Sequence, residues 1–194
     1  MPLRWAIFHQ VKSGAGLVKS RTVQVFDKYP ILRGMVAYSV IWPCGVVLQE
    51  KFIAKKKTID YDRIMRFSMF GTFYVAPTLY CWLSIARRKW PKPTLSHSLK
   101  KALVEQVTYT PFAMISFYFG MTLLEGKTVD DGLHEVSHKF WPTYRIGVMV
   151  WPFAQLINYT LVSEKNRVPY VSVCSLLWTS FLAYMKYNNF EIIQ

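Results

Sequence analysis

Apolar residues gather into five long runs, at roughly 31–49, 64–86, 102–124, 141–162 and 168–187, and the short stretches between them hold most of the charge. Each run is close to the ~20 residues a helix needs to cross a bilayer. The pattern predicts an all-α polytopic membrane helix bundle of about five transmembrane helices. Glu105, Gln106 and Arg145 lie near span ends and the fifth run is compatible with a shallow or tilted helix, so four spans is the alternative. Residues 1–30 read as a basic N-terminal arm, 31–187 as the bundle and 188–194 as a C-terminal tail. Between the third and fourth runs, residues 128–139 read as a short amphipathic segment. Leu133 and Val136 on one face could rest on the membrane surface.

Composition supports this reading. Of 194 residues 52% are hydrophobic and only 18% charged, which excludes a disordered chain. The 24 Lys and Arg outweigh 11 Asp and Glu, and in so apolar a chain this excess points to a membrane before nucleic acid. Alternating spans put 14 basic and 2 acidic residues on the N-terminal side, and 8 of each on the other. One face is thus strongly positive and the other neutral, which places the N-terminus inside, the matrix side in a mitochondrion. The acid-poor start is compatible with mitochondrial import or with a basic arm beside a membrane. Trp90 and Trp141 stand where interfacial anchors belong. Cys44, Cys81 and Cys174 each sit inside an apolar run and read as three small buried hydrophobes, not a disulfide framework.

Each span contains or begins with a proline: Pro43, Pro77, Pro111, Pro152 and Pro169. Each removes a donor and frees the carbonyl four residues earlier. Kinked, closely packed helices are one consequence, a path lined by freed carbonyls another. Arg66, Glu105 and Arg145 are costly at membrane depth and are expected to face the bundle interior or a wet cavity. At 100° per residue Arg145, Pro152 and Tyr159 align, and Gln155 and Asn158 widen that stripe. Glu105, Tyr109, Phe112 and Ser116 share a face, as do Arg66, Phe73, Pro77, Tyr80 and Ser84. Two polar clusters follow, one near each mouth, with an aromatic constriction between them. The pore-lining or gating candidates are Arg66, Glu105, Arg145, Gln155 and Asn158. The competing reading makes the clusters hydrogen-bond networks that lock the bundle.

His134-Glu135-Val136-Ser137-His138 matches H-E-x-x-H, in which two histidines hold zinc and the glutamate acts as base. A catalytic zinc needs a third protein ligand. Glu164, the downstream candidate, lies across ~30 Å of hydrocarbon in this topology. The motif reads as a decoy, with a zinc hydrolase as a remote alternative. No phosphate-binding glycine loop and no nucleophile elbow occur, and no cofactor is expected.

The C-terminal half carries a resemblance. Trp141-Pro142, then Trp151-Pro152 with Gln155 and Asn158, then Arg167 and Trp178 resemble the Mpv-seventeen / peroxisomal membrane protein twenty-two family, nearest its Mpv-seventeen-like branch. Upstream, Asp62, Arg63, Gly71, Trp82, Lys101, Glu105-Gln106 and Pro111 agree. Cys44-Gly45-Val46 stands where the family has an acid, and Tyr80 where it has a histidine. The resemblance implies a small, non-enzymatic integral protein of the mitochondrial inner membrane, or of peroxisomes, linked to channel-like conductance, membrane potential and reactive-oxygen control. The expected function is a pore or solute-permeation protein. The alternative is a non-conducting scaffold docking a matrix or membrane complex. The expected partners are the lipid bilayer, with a second copy of the chain or such a complex left open. No direct contact with nucleic acid is expected.

Overall fold

The computed structural model describes residues 24–26, 28–92, 94–162 and 167–187, with the side chains of 159 and 167–169 excepted. The basic arm therefore lies largely outside the described residues, and the tail 188–194 wholly so. Among the described residues there is no strand, and the chain forms an all-α membrane helix bundle. Its helices are α1 (Ile31–Leu48), α2 (Tyr61–Phe70), α3 (Ala76–Lys89), α4 (Leu95–Val107), α5 (Tyr109–Leu124), α6 (Val129–Thr160) and α7 (Arg167–Tyr187).

Proline explains the breaks. A π-helical turn, Gly71–Val75, joins α2 to α3 without ending the helix. Pro77 follows at once, and its ring cannot sit against the carbonyl four residues back unless the turn widens. Pro111 acts on the Val107 carbonyl, where the chain breaks at Thr108 and α4 meets α5 at 43°. A second π-helical turn, Gln49–Ile53, extends α1. Gly126 reverses the chain after α5 with φ +76°, a conformation that suits glycine. α6 then starts at a capping box, in which Thr128 and Asp131 each accept the other's backbone N–H. With 32 residues α6 is about 48 Å long, more than a bilayer core, so one end extends beyond it. In its first turns Leu133 is exposed but Val136 packs against the core, which corrects the expectation that the two rest together on the membrane surface.

Two continuous helical stretches are long and apolar enough to cross a membrane, Ile31–Ile53 and Tyr61–Lys89, and the bent pair α4–α5 makes a third. Five were expected, or four. α6 and α7 carry the fourth and fifth apolar runs, but Trp, Tyr, Pro, Arg145 and Lys186 dilute them.

The core is an aromatic layer at mid-bundle. Trp42 of α1 packs on Phe67 at 5.8 Å and Phe70 at 6.0 Å from α2, and on Phe117 of α5 at 5.9 Å. Tyr118 is fully buried beside them and shares a 2.5 Å hydrogen bond with Thr143 of α6. Glycine lets α1 approach α7: a Cβ on Gly45 would lie 2.8 Å from Thr179 Cβ. The outer surface is oily, with Val40, Phe73, Ile85, Phe112 and Phe153 all exposed, as a lipid-facing belt requires. Cys44 and Cys81 lie on this surface and Cys174 is half-buried, which corrects the expectation of three buried thiols. An apolar run in a membrane helix has lipid as well as protein to hide in. Phe73 and Phe112, expected on inward stripes, face outward for the same reason.

Candidate functional site

Along α1 and α7 the same order recurs: ionic groups, then the packed core, then a cavity. On α1 and its π-turn it runs from Glu50 through Val46 and Trp42 to Tyr38, and on α7 from Lys186 through Ala183 to Ser175. The bundle thus has two polar regions separated by rings.

The inner cavity has a volume of about 240 Å³ and lies in the half of the bundle nearer the basic face. The α4–α5 break delivers Glu105 and Tyr109 to its wall, α6 delivers Trp151 and Gln155, and α7 delivers Ser175 and Trp178. Glu105 Oε2 accepts a hydrogen bond from the Trp82 indole at 3.0 Å, and Trp82 stacks on Tyr109 with centroids 6.2 Å apart. The Tyr109 hydroxyl is in turn bonded to Thr78 Oγ1 at 3.0 Å. Three residues from two helices, Trp82 and Thr78 of α3 and Tyr109 of α5, therefore fix the carboxylate's position. Asn158 is buried next to Gln155 and donates to its Oε1 at 3.4 Å, while its own Oδ1 has no partner.

The second region lies beyond the aromatic layer, toward the neutral face. Glu50 is fully buried. Its Oε1 meets Arg63 Nη1 at 3.1 Å and Lys56 Nζ at 3.3 Å, and its Oε2 accepts the Asp60 backbone N–H at 3.0 Å. Lys186, also buried, reaches Glu135 Oε2 at 2.5 Å, Thr122 Oγ1 at 2.8 Å and Glu125 Oε2 at 3.4 Å. Lys139 binds Glu135 Oε1 at 3.0 Å and also donates to the Lys186 carbonyl. Burial pushes the carboxyls of Glu125 and Glu135 up. Lys127 and Lys186 at Glu125, and Lys186, Thr122 and Lys139 at Glu135, more than reverse this, and both end below the ordinary 4.5. The Asp60 carboxyl is also lowered, chiefly by the Arg63 backbone N–H it caps. A cleft of about 660 Å³ opens beside this cluster, bordered by Lys127, His134, His138 and Pro142.

The structure brings Glu105 and Gln155 together in the cavity, with Asn158 behind Gln155. It places Arg66 in the other region, near Tyr187, with its Nε unpartnered. Arg145 joins neither: it is exposed on α6, one turn past the exposed Trp141. At that level its long side chain reaches the headgroups, so facing inward is unnecessary. Of the resemblance motif, Trp151 and Trp178 wall the cavity edge-to-face at 6.0 Å. Pro142 and Pro152 lie inside α6, and the Arg167 side chain is outside the described residues.

The H-E-x-x-H segment is helical, and His134, Glu135 and His138 all border the cleft. His134 and His138 stack with centroids 4.1 Å apart, while Glu135 is engaged by Lys186, Lys139 and Thr122. Among the described residues no group of three or more His, Cys, Asp or Glu side chains is placed to hold a metal ion.

Sequence reasoning missed the buried cluster. It counted Glu50, Glu125, Glu135, Lys139 and Lys186 only among the charges of the neutral face. The equal numbers of opposite charges on that face were the available signal.

The Mpv17 / PMP22 family profile matches residues 122–183. An Mpv17-like protein of Xenopus laevis is 30% identical over 166 residues, covering 84% of this chain and 80% of that protein. PXMP2/4 family protein 4 of Dictyostelium discoideum is 29% identical, covering 91% of this chain and 97% of the relative. Protein SYM1 of Yarrowia lipolytica is 28% identical, covering 87% and 80%. No solved structure matches. Relatives aligned over most of their length, together with the helical bundle and its oily surface, make this an organellar membrane protein: the chain belongs to the Mpv17 / PMP22 family, in its Mpv17-like branch.

Proposed function

We propose that the chain is a pore or solute-permeation protein of the mitochondrial inner membrane, with its N-terminus toward the matrix, supporting membrane potential and metabolite and reactive-oxygen homeostasis. The observation that carries this reading is the inner cavity. Glu105 and Gln155 stand in its wall, inside a bundle whose surface is made for lipid. Two strongly polar side chains in a largely apolar cavity at that depth serve no packing purpose, because apolar side chains would fill the space at lower cost. The packed layer of Trp42, Phe67, Phe70 and Phe117 lies between the cavity and the ionic cluster, and on this reading it is the closed gate. The excess of basic residues on the N-terminal side supports the orientation. The names Mpv17-like and SYM1 accompany the mitochondrial reading, and PXMP2/4 the peroxisomal alternative.

Purified protein in planar bilayers is expected to conduct, and Glu105→Gln and Gln155→Leu to change ion selectivity. Silence at every voltage and redox condition overturns the proposal. The packed aromatic layer also favours a second reading, a non-conducting scaffold that docks a membrane or matrix complex. A stoichiometric partner retained in mild detergent, together with silent bilayers, selects it.

A further inference from the structure

The wall of the inner cavity carries a single carboxylic acid and no basic side chain. Among the described residues no Lys, Arg or His lines it. None of the ion pairs among those residues includes Glu105. Much of the remaining wall is aromatic, from Tyr38, Trp42, Tyr109, Phe117, Trp151 and Trp178. These rings are held in place: Tyr38 on Trp42 at 6.3 Å, Trp42 on Phe117 at 5.9 Å and Trp151 on Trp178 at 6.0 Å.

Each solute class meets this wall differently. An anion finds a carboxylate and no cation. A hard metal ion wants several oxygen ligands and finds one carboxylate among rings. A neutral solute draws nothing from the charge that this acid can carry. An organic ammonium ion satisfies every part. Its charge neutralises Glu105, and its alkyl shell lies against ring faces, whose negative potential attracts cations most where water is excluded. At about 240 Å³ the cavity is smaller than the ~300–1,000 Å³ typical of drug-sized ligands, so the ion is compact.

We propose that the inner cavity binds a compact organic ammonium ion, with Glu105 as counter-charge and the Trp and Tyr rings as a cage. This names the solute class of the permeation reading and rests on that reading for passage, while binding needs no conductance. The basic face outside repels free cations only within a Debye length, about 8 Å at physiological salt, so the cage makes the selection.

The test is equilibrium binding of radiolabelled choline to the full chain in phosphatidylglycerol nanodiscs, which contain no choline headgroup. Saturable binding is expected, displaced by tetramethylammonium and not by choline's uncharged carbon isostere. Glu105→Gln is expected to weaken it by about tenfold or more and Glu105→Asp by much less. Should Glu105→Gln fail to fold, Trp151→Leu carries the test, with a loss of about fivefold or more expected. Equal displacement by the isostere, unchanged affinity in the folded variants, or no saturable binding to folded wild-type protein overturns the site. Choline binding with silent bilayers removes the permeation reading and leaves the site. Conductance without choline binding does the reverse.

Discussion

Arg63 of α2 holds its guanidinium 3.5 Å from the ring centroid of Tyr187, at the end of α7, while Nη1 of the same group meets Glu50 beyond α1 at 3.1 Å. One side chain therefore ties α2 to the π-turn that follows α1 and to the end of α7, more than a hundred residues away in sequence. Arg63→Ala removes the cation–π contact and leaves the fully buried Glu50 with Lys56 and one backbone N–H. Uncompensated buried charge is costly, about 3–5 kcal/mol for loss of one partner. The melting temperature in detergent should fall sharply, and Arg63→Lys should recover only part, because an ammonium lacks the planar fork. An Arg63→Ala protein melting like wild type would show that this triple contact holds nothing.

Glu125 and Glu135 predict how stability depends on acid. Both carboxyls titrate below their ordinary value in the folded chain. The stability they contribute is complete above the unfolded value and is lost as pH falls through the folded one. Melting temperature should be level from neutrality to about pH 5 and drop below about pH 4. Glu135→Gln should lower it at neutral pH, since Lys186 and Lys139 each lose a counter-ion, and should flatten the acid limb. A chain that melts at higher temperature on acidification contradicts the cluster's charge state.

How much of this was legible in the sequence differs between fold and site. The apolar runs place the helices well, because a segment that must satisfy its own backbone in lipid has only the helix available. Glu105 and Gln155 were legible for a similar reason: polar groups at membrane depth turn inward. Arg145 shows where that rule stops, since near a span end a long side chain can snorkel. The Glu50–Arg63 and Lys186–Glu135 pairs were not legible. They join residues 13 and 51 positions apart, and their burial depends on how α1, α2, α6 and α7 converge. Helical phase also cannot say which side of the continuous α2–α3 helix or of α5 meets lipid, and so Phe73, in the π-turn, and Phe112 were put on the wrong one.

Gly45 gives a test of the α1–α7 contact that is independent of charge. A Cβ there would meet Thr179 Cβ and Cγ2 at 2.8 Å and the Ser180 backbone nitrogen at 3.2 Å, none of them the flexible end of a long side chain. Gly45→Ala should destabilise by about 1–3 kcal/mol, read as a lowered melting temperature. Gly34→Ala is the control. Its Cβ would sit in ordinary contact, 3.8 Å from Ala76 Cβ, and alanine favours the helix by up to about 1 kcal/mol. If the two substitutions behave alike, α1 does not approach α7 as closely as described.

Phe117 is where the cavity and the packed core meet. Its ring borders the cavity and touches Trp42, Phe67 and Phe70 at centroid distances of 5.9, 5.6 and 5.9 Å. If the aromatic layer is a gate, shortening this side chain should connect the cavity to the ionic region. Phe117→Ala is expected to raise conductance or open fraction in planar bilayers at least severalfold, at a stability cost of about 3–5 kcal/mol. Phe117→Leu should give a smaller gain at a smaller cost. Stability alone cannot separate a gate from a core, because both readings predict its loss. The conductance series separates them: a graded rise from Phe to Leu to Ala belongs to a gate. Equal conductance in all three proteins, with only the melting temperature falling, makes Phe117 a packing residue and takes the gate out of the permeation mechanism.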